Sequence, residues 1–402
     1  MARRGVACRE GRAVRAPPAP TMKAKRILLL LEWYDYRFHL GVAKVASEAG
    51  WQLHYHKDWS NREGFLEDWK GDGCIALLQC TDTLQYFRTY RIPLVDLGLG
   101  QHNLSIPRVS PDNREVGRLA AEHFRDRGYR EVFVLKTGGL RMYEERLSAL
   151  REFMKRGGGS VHELETAETM GPGVIRELRA MAAKRGRRLE ELSVGFFAYQ
   201  DEMGAALISL CLQHRLRVPE NVAVLSVDND ELINTGLRVG LSSIDTDIEG
   251  QGCLAANVLR SLLATSPARG QKKILRHPPK GLVVRASTDC YAVGHPLVAE
   301  ALHWIHNHYQ SGITAADVAE AMRISQQGLQ KAFAIHYSRS PGQEIRHQRT
   351  QMAGQLLVSS SVKIQDIAKA CGFYSVDNLI RTFRQVHGVT PGKYRSRKKA
   401  AA

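Results

Sequence analysis

Two groups of side chains near the C-terminus have the chemistry needed to read the edges of DNA bases. One holds Gln326, Gln327, Gln330 and Lys331, the other Asp377, Asn378, Arg381 and Arg384. Amides pair with adenine, a guanidinium forks onto guanine, and a carboxylate such as Asp377 accepts from the cytosine amino group. Each group falls on the second of two short helices joined by a tight turn, within Ile313–Phe333 and Ile364–Phe383. Val318 and Ile367 are core positions of the first helices, and Ala319 and Ala368 are small enough to let two helices cross closely. Gly372 suits a left-handed turn, and Ser325 and Ser375 are natural N-caps. Leu329 with Phe333, and Leu379 with Phe383, form buried stripes at helical spacing. One copy is compatible with a plain helical hairpin and a solvated face. Two copies about fifty residues apart predict a pair of helix-turn-helix units.

The charge distribution agrees. Of the net +16, residues 296–402 carry 14 Lys/Arg against 6 Asp/Glu and residues 1–26 carry 8 against 1, which leaves the middle near neutrality. A basic terminal domain on a neutral body suits a polyanion partner, although charge alone fits a solubilising surface equally well. Enzyme chemistry is not expected. The chain has no Gly-rich phosphate loop, HExxH or Gly-x-Ser-x-Gly, and Gly157-Gly158-Gly159 lacks the Lys/Ser of a P-loop. His303, His306 and His308 read as a helix surface rather than a metal site, and no cofactor is expected. The seven cysteines are scattered without a C-x-x-C, which favours a reducing compartment over a disulfide framework. No apolar run reaches the ~18 residues of a membrane span. A cytoplasmic protein without a membrane partner is therefore expected.

The elements that must position these groups follow from the periodicity. Short apolar runs (Arg26–Leu31, Gly73–Leu78, Pro93–Leu97, Glu131–Leu135, Ser193–Ala198, Val222–Val227) alternate with amphipathic segments (Phe38–Ala49, Asn113–Arg127, Tyr143–Met154, Ile175–Lys184, Met203–His214, Gln251–Leu263). This alternation predicts parallel α/β sheets. Its span of about 270 residues fits two hinged lobes better than one. A last β-like run, Leu282–Arg285, precedes an all-helical remainder. The expected division is a disordered basic tail over 1–24, an α/β sensor over 25–290 and a helical DNA-binding domain over 291–402. The tail is rich in Arg, Ala and Pro, and Met22 opens the regular stretch, so residues 1–21 could reflect start-codon choice. In open α/β sheets ligands bind beyond the carboxyl ends of the strands, so the residues just after each apolar run are the ones to inspect.

The C-terminal segment resembles the AraC-type DNA-binding domain. The resemblance is carried by Ile364-x-x-Ile-Ala-x-x-x-Gly-Phe373, by Phe383, and by the ending Gly388-Val-Thr-Pro-Gly-Lys-Tyr-Arg395. Ser340-Pro341 stands where the first unit requires it, but Gly328 lies inside that unit's second helix. Glycine there costs about 1 kcal/mol relative to alanine, which predicts a helix that orders only on DNA. The resemblance implies two units entering successive major-groove segments about one turn apart, and it adds Val376 to the base-reading candidates.

The body resembles the two-lobed fold shared by periplasmic binding proteins and the LacI/GalR regulators. That resemblance rests on Ser110–His123, Tyr143–Arg146, Tyr199–Glu202, Asp228–Glu231, Gly240–Ile244 and Leu282–Asp289. Together the two resemblances imply a dimeric transcription regulator controlled by a monosaccharide, D-xylose first, that contacts RNA polymerase if it is an activator. A repressor, or a sensor of another sugar or of none, remains open. A sugar site needs acceptor carboxylates, a fork of donors and an aromatic plate. By position the candidates are Asp35, Asp201 and Asp228 as acceptors, Arg146 as donor, and Tyr34 or Phe197 as the plate. Asn229 is a further candidate, with Asn113, for shaping the cleft or hinge. Tyr36-Arg37-Phe38 is bulkier than this fold's first helix start usually is.

Overall fold

The computed structural model describes residues 24–401, apart from 32, 56–68, 79–86, 99–105, 137–139, 165–170, 185, 265–273, 294 and 338. The tail predicted over 1–24 lies almost wholly outside the described residues. In chain order the strands are β1 (Arg26–Leu31), β2 (Gln52–Tyr55), β3 (Gly73–Leu77), β4 (Leu94–Asp96), β5 (Arg108–Pro111), β6 (Glu131–Leu135), β7 (Ser160–Leu164), β8 (Val194–Phe197), β9 (Val222–Val227), β10 (Ser242–Asp245), β11 (Ile274–His277) and β12 (Gly281–Val283). They form two six-stranded sheets, ordered β11-β5-β4-β3-β1-β2 and β12-β10-β9-β8-β6-β7. Every described pairing is parallel except β10 with β12. The central strands are buried runs of Leu, Ile and Val, as a sheet covered on both faces requires.

The helices of the two-sheet region are α1 (Tyr36–Glu48), α2 (Asn113–Asp126), α3 (Arg141–Arg156), α4 (Pro172–Lys184), α5 (Asp201–Gln213), α6 (Glu231–Thr235) and α7 (Ile248–Ala264). Helices α1 and α7 pack on the first sheet, and α2 and α3 on the second. A Cβ on Gly117 of α2 would lie 2.3 Å from the Arg146 carbonyl oxygen, so only glycine lets α3 come this close. The chain passes between lobes three times, after β5, after β10 and between β11 and β12. Asp247 ties the crossings together. It accepts from His277 Nε2 at 2.8 Å, Lys280 Nζ at 2.6 Å and the Gly250 N–H at 3.1 Å. These donors outweigh burial and hold its carboxyl well below the usual range.

The remainder is helical: α8 (Pro296–His308), α9 (Ala315–Ala321), α10 (Gln326–His336), α11 (Pro341–Ser359), α12 (Ile364–Ala370), α13 (Val376–His387) and α14 (Pro391–Ala401). It has two cores, one around Leu302, Val318, Leu329 and Phe333, the other around Leu357, Ile367, Leu379 and Phe383. Helix α11 serves both, through Ile345 near its start and Ala353 and Leu357 near its end. No described helix is long and apolar enough to cross a membrane.

Candidate ligand cleft and nucleic-acid interface

Between the lobes lies a cavity of about 710 Å³. Trp33, Phe38 and Tyr143 supply its aromatic surface, and Arg146, Asp228, Glu202, Thr246 and Gln251 are among its polar groups. Arg146 is buried. It donates through Nε to Asn113 Oδ1 at 2.9 Å and through Nη1 to the Tyr199 carbonyl at 2.6 Å. Asp228 follows β9 with φ of 102°, and Asn229 has φ of 49°. Such backbone persists only where its surroundings hold it. Here the Asn229 N–H donates to Ser243 Oγ at 2.9 Å and the Asp230 N–H to Asp201 Oδ2 at 2.5 Å. The Asp228 carboxylate accepts from Thr246 Oγ1 at 3.1 Å. Burial pushes its carboxyl up from the ordinary value, against the charge of Arg146 and the Thr246 hydrogen bond.

The structure separates the sequence-predicted residues. Arg146 and Asp228 line the cavity. Asp201 is instead enclosed by Ser226 Oγ, Ser243 Oγ at 2.7 Å and the Asp230 N–H, and burial pushes its carboxyl up to about 6. It holds the loop that presents Asp228. Asp35 caps α1, accepting from the Arg37 N–H at 2.8 Å, and is gripped by the Arg37 side chain. Asn229 does not line the cavity, and its Oδ1 accepts from Arg285 Nη2 at 2.7 Å. Neither aromatic candidate lines the cavity. Phe197 is fully buried because strand alternation turns it into the core under α2 and α3. Tyr34 is half exposed, packs on Tyr55 and bonds to His39. The rings that line the cavity are Trp33, Phe38 and Tyr143, two of which lie within four residues of the tyrosine chosen from sequence.

In the helical domain Gln326, Gln327, Gln330, Lys331, Asp377, Arg381 and Arg384 are exposed, with Val376 and Asn378 partly so. Ser325 Oγ accepts from the Gly328 N–H at 3.0 Å and Ser375 Oγ from the Asn378 N–H at 3.2 Å. Gly372 has φ of 74°, and a Cβ there would meet two carbonyl oxygens at 2.6 Å. In the first unit Arg323, φ 53°, takes the left-handed turn. Helix α10 forms with Gly328 in its capped first turn and with Leu329 and Phe333 anchoring the following turns in a core.

The two regions meet along α2. At its C-terminal end Asp126 accepts from Arg339 Nη2 and His347 Nε2, both at 2.6 Å, and the Tyr337 hydroxyl donates to the Asp126 carbonyl at 2.6 Å. Arg339 also reaches the buried Glu344 at 3.0 Å. These positions carried no sequence signal, since each is ordinary surface chemistry until the domains dock.

Residues 121–288 match a periplasmic binding protein-like domain and residues 318–397 a helix-turn-helix domain. The chain is 28% identical over 389 residues to the xylose operon regulatory protein of Escherichia coli strain K12, covering 93% of this chain and 97% of that protein. It is 24% identical over 379 residues to the protein of that name from Haemophilus influenzae, with 90% and 95% covered. Among solved structures it resembles the xylose-binding transcription activator XylR, at 26% identity and a TM-score of 0.55, over 93% of this chain and 98% of that one. The sensor alone resembles the regulator CelR in complex with cellobiose at 21% identity and a TM-score of 0.53, over 66% and 86%, which concerns the fold only.

Proposed function

We propose that the chain is a DNA-binding transcription regulator, not an enzyme, that joins a periplasmic-binding-protein-like sensor to an AraC-type helix-turn-helix domain, with D-xylose as its effector. The observation that carries the sugar reading is the pairing of Asp228 and Arg146 beside Trp33, Phe38 and Tyr143 in one cleft. Asp228 accepts from sugar hydroxyls, Arg146 donates to a hydroxyl or the ring oxygen, and an aromatic face covers the apolar side of the ring. Asp35 and Asp201 position this set rather than touch the sugar. The pentose itself rests on the relatives. The proposed working unit is a cytoplasmic homodimer, which recruits RNA polymerase if it acts as an activator like the XylR it resembles.

Closure of the lobes on sugar would move α2, whose first residue holds Arg146 and whose last holds Arg339 and His347. At 1.5 Å per residue this helix spans about 21 Å. Ligand shifts the equilibrium only by its differential affinity for the two lobe arrangements, and α2 would carry that shift to the recognition helices.

Calorimetric titration with D-xylose, L-arabinose, D-ribose, D-glucose and D-galactose tests the reading. Saturable binding of xylose alone supports it. Binding of another sugar replaces the effector, and binding of none removes the sugar. Affinity has a defined pH sign. An acceptor carboxylate must be ionised, and Asp228 is raised above its ordinary value. Xylose binding is therefore full above that raised pKa and falls as pH drops through it, while Asp228→Asn flattens the profile. On the DNA side, Arg381→Ala is expected to cost roughly 1–3 kcal/mol and to relax specificity if Arg381 reads a guanine. Fluorescence anisotropy on the footprinted upstream segment and on random DNA checks this. Equal losses on both would make Arg381 a backbone contact.

A further inference from the structure

Among the described residues two arginines join the lobes: Arg276 of β11 pairs with Glu145 of α3 at 2.7 Å, and Arg37 reaches across beside the cavity. Arg37 lies in the first turn of α1, on the first-sheet lobe. Its Nε donates to Asp35 Oδ1 at 3.0 Å and its Nη2 to Asp35 Oδ2 at 2.6 Å. The remaining nitrogen, Nη1, crosses to the second-sheet lobe and donates to the Asp228 carbonyl at 2.6 Å and the Asn229 carbonyl at 3.2 Å. The Asp230 carboxylate stands 3.7 Å from Nη2. Arg37 is not among the residues that line the cavity, yet both carbonyls it grips belong to the left-handed pair that presents the Asp228 carboxylate.

We propose that Arg37 is a cross-cleft latch. It biases the lobes toward closure before ligand arrives and so sets effector affinity without touching the effector. The inference rests on the reading above that ligand binds between closing lobes. A guanidinium is suited to this because its planar fork can hold a carboxylate on one edge while a third nitrogen reaches carbonyls opposite. Lysine has the charge without the fork. Apparent affinity equals the intrinsic affinity scaled by the fraction already closed. A latch that raises this fraction therefore tightens binding and shortens the step from unbound to signalling state. Arg37 is a positioning residue, acting through the loop that carries Asp228.

The test uses the full-length chain with donor and acceptor dyes on noncanonical residues at positions 47 and 177, exposed sites in opposite lobes. Without sugar, the wild type should show high energy transfer, Arg37→Ala low transfer, and Arg37→Lys an intermediate value. With saturating xylose all three should converge, which a residue needed only for folding would not produce. The xylose Kd should weaken by roughly tenfold or more in Arg37→Ala and by less in Arg37→Lys, following the closed fraction. Identical sugar-free transfer in wild type and Arg37→Ala overturns the latch, as does unchanged Kd in both variants. If the wild type binds none of the sugars, the sugar reading fails by itself. Sugar-free transfer still decides the latch, with loss of transfer in Arg37→Ala supporting it and no change overturning it.

Discussion

Asp228→Ala is expected to weaken sugar binding by about 3 kcal/mol or more, roughly a hundredfold in Kd. Two costs combine. The sugar loses charge-assisted hydrogen bonds of about 1.5–3 kcal/mol each, and Arg146 loses the acidic charge that acts on it most strongly while remaining buried. The backbone complicates the substitution, because residue 228 has φ of 102° and alanine tolerates that region poorly. Asp228→Asn separates the effects, since asparagine visits positive φ more readily and keeps the shape. It is expected to retain the fold and a fraction of the affinity. Calorimetry gives the affinity and thermal melting the fold. Xylose affinity unchanged in both variants would remove Asp228 from the site and leave the cleft without its principal acceptor.

Asp126→Ala is expected to separate the sensor from the DNA-binding domain. Asp126 is the shared acceptor for Arg339 and His347, and all three are largely buried where the domains meet. Removing one member of such a cluster costs about 3–5 kcal/mol, because the remaining charges stay buried without their counter-charge. Glu344 keeps one bond to Arg339, while His347 loses its 2.6 Å acceptor. The variant should unfold in two calorimetric steps, bind operator DNA, and no longer change that binding when sugar is added. A single transition with an intact sugar response would place the coupling elsewhere. The cluster also has a pH signature. Asp126 raises the His347 pKa against burial and the charge of Arg339. The stability from that pairing is fully present below the ordinary histidine pKa and is lost as pH rises through the raised value. Asp126, held well below the usual range by His347 and Arg339, stays ionised throughout.

Periodicity alone was enough for the elements that form one continuous buried face. The runs at 26–31, 131–135 and 222–227 read as strands, and β1, β6 and β9 have those bounds. Elements without one apolar face were not legible. β2 and β7 are edge strands with mixed burial, and β5 is a four-residue strand containing a buried arginine and a proline. Helix α11 buries residues of opposite ends in two different cores, so no single stripe marks it.

The site divides in the same way. Asp228 was readable because a strand end followed by a charge is a local pattern, Arg146 from its position in the resemblance, and the capped recognition helices because each cap lies next to the helix it starts. Local pattern could not distinguish Asp201 from Asp228, since both are acids following apolar runs. One is enclosed by two serines and a backbone N–H, while the other faces the cavity. Nor could it give Phe38 precedence over Phe197, because which ring faces the cleft depends on how two sheets are set against each other. The sequence by itself determined a two-lobed α/β body, a pair of DNA-reading helices and the acids available to a ligand. The tertiary structure decided which acids remain free, which rings face them, and that Arg37 and Asp126 join parts of the chain some two hundred residues apart. The physical reason is that burial and pairing are properties of the neighbours a side chain meets, and those neighbours are distant in sequence.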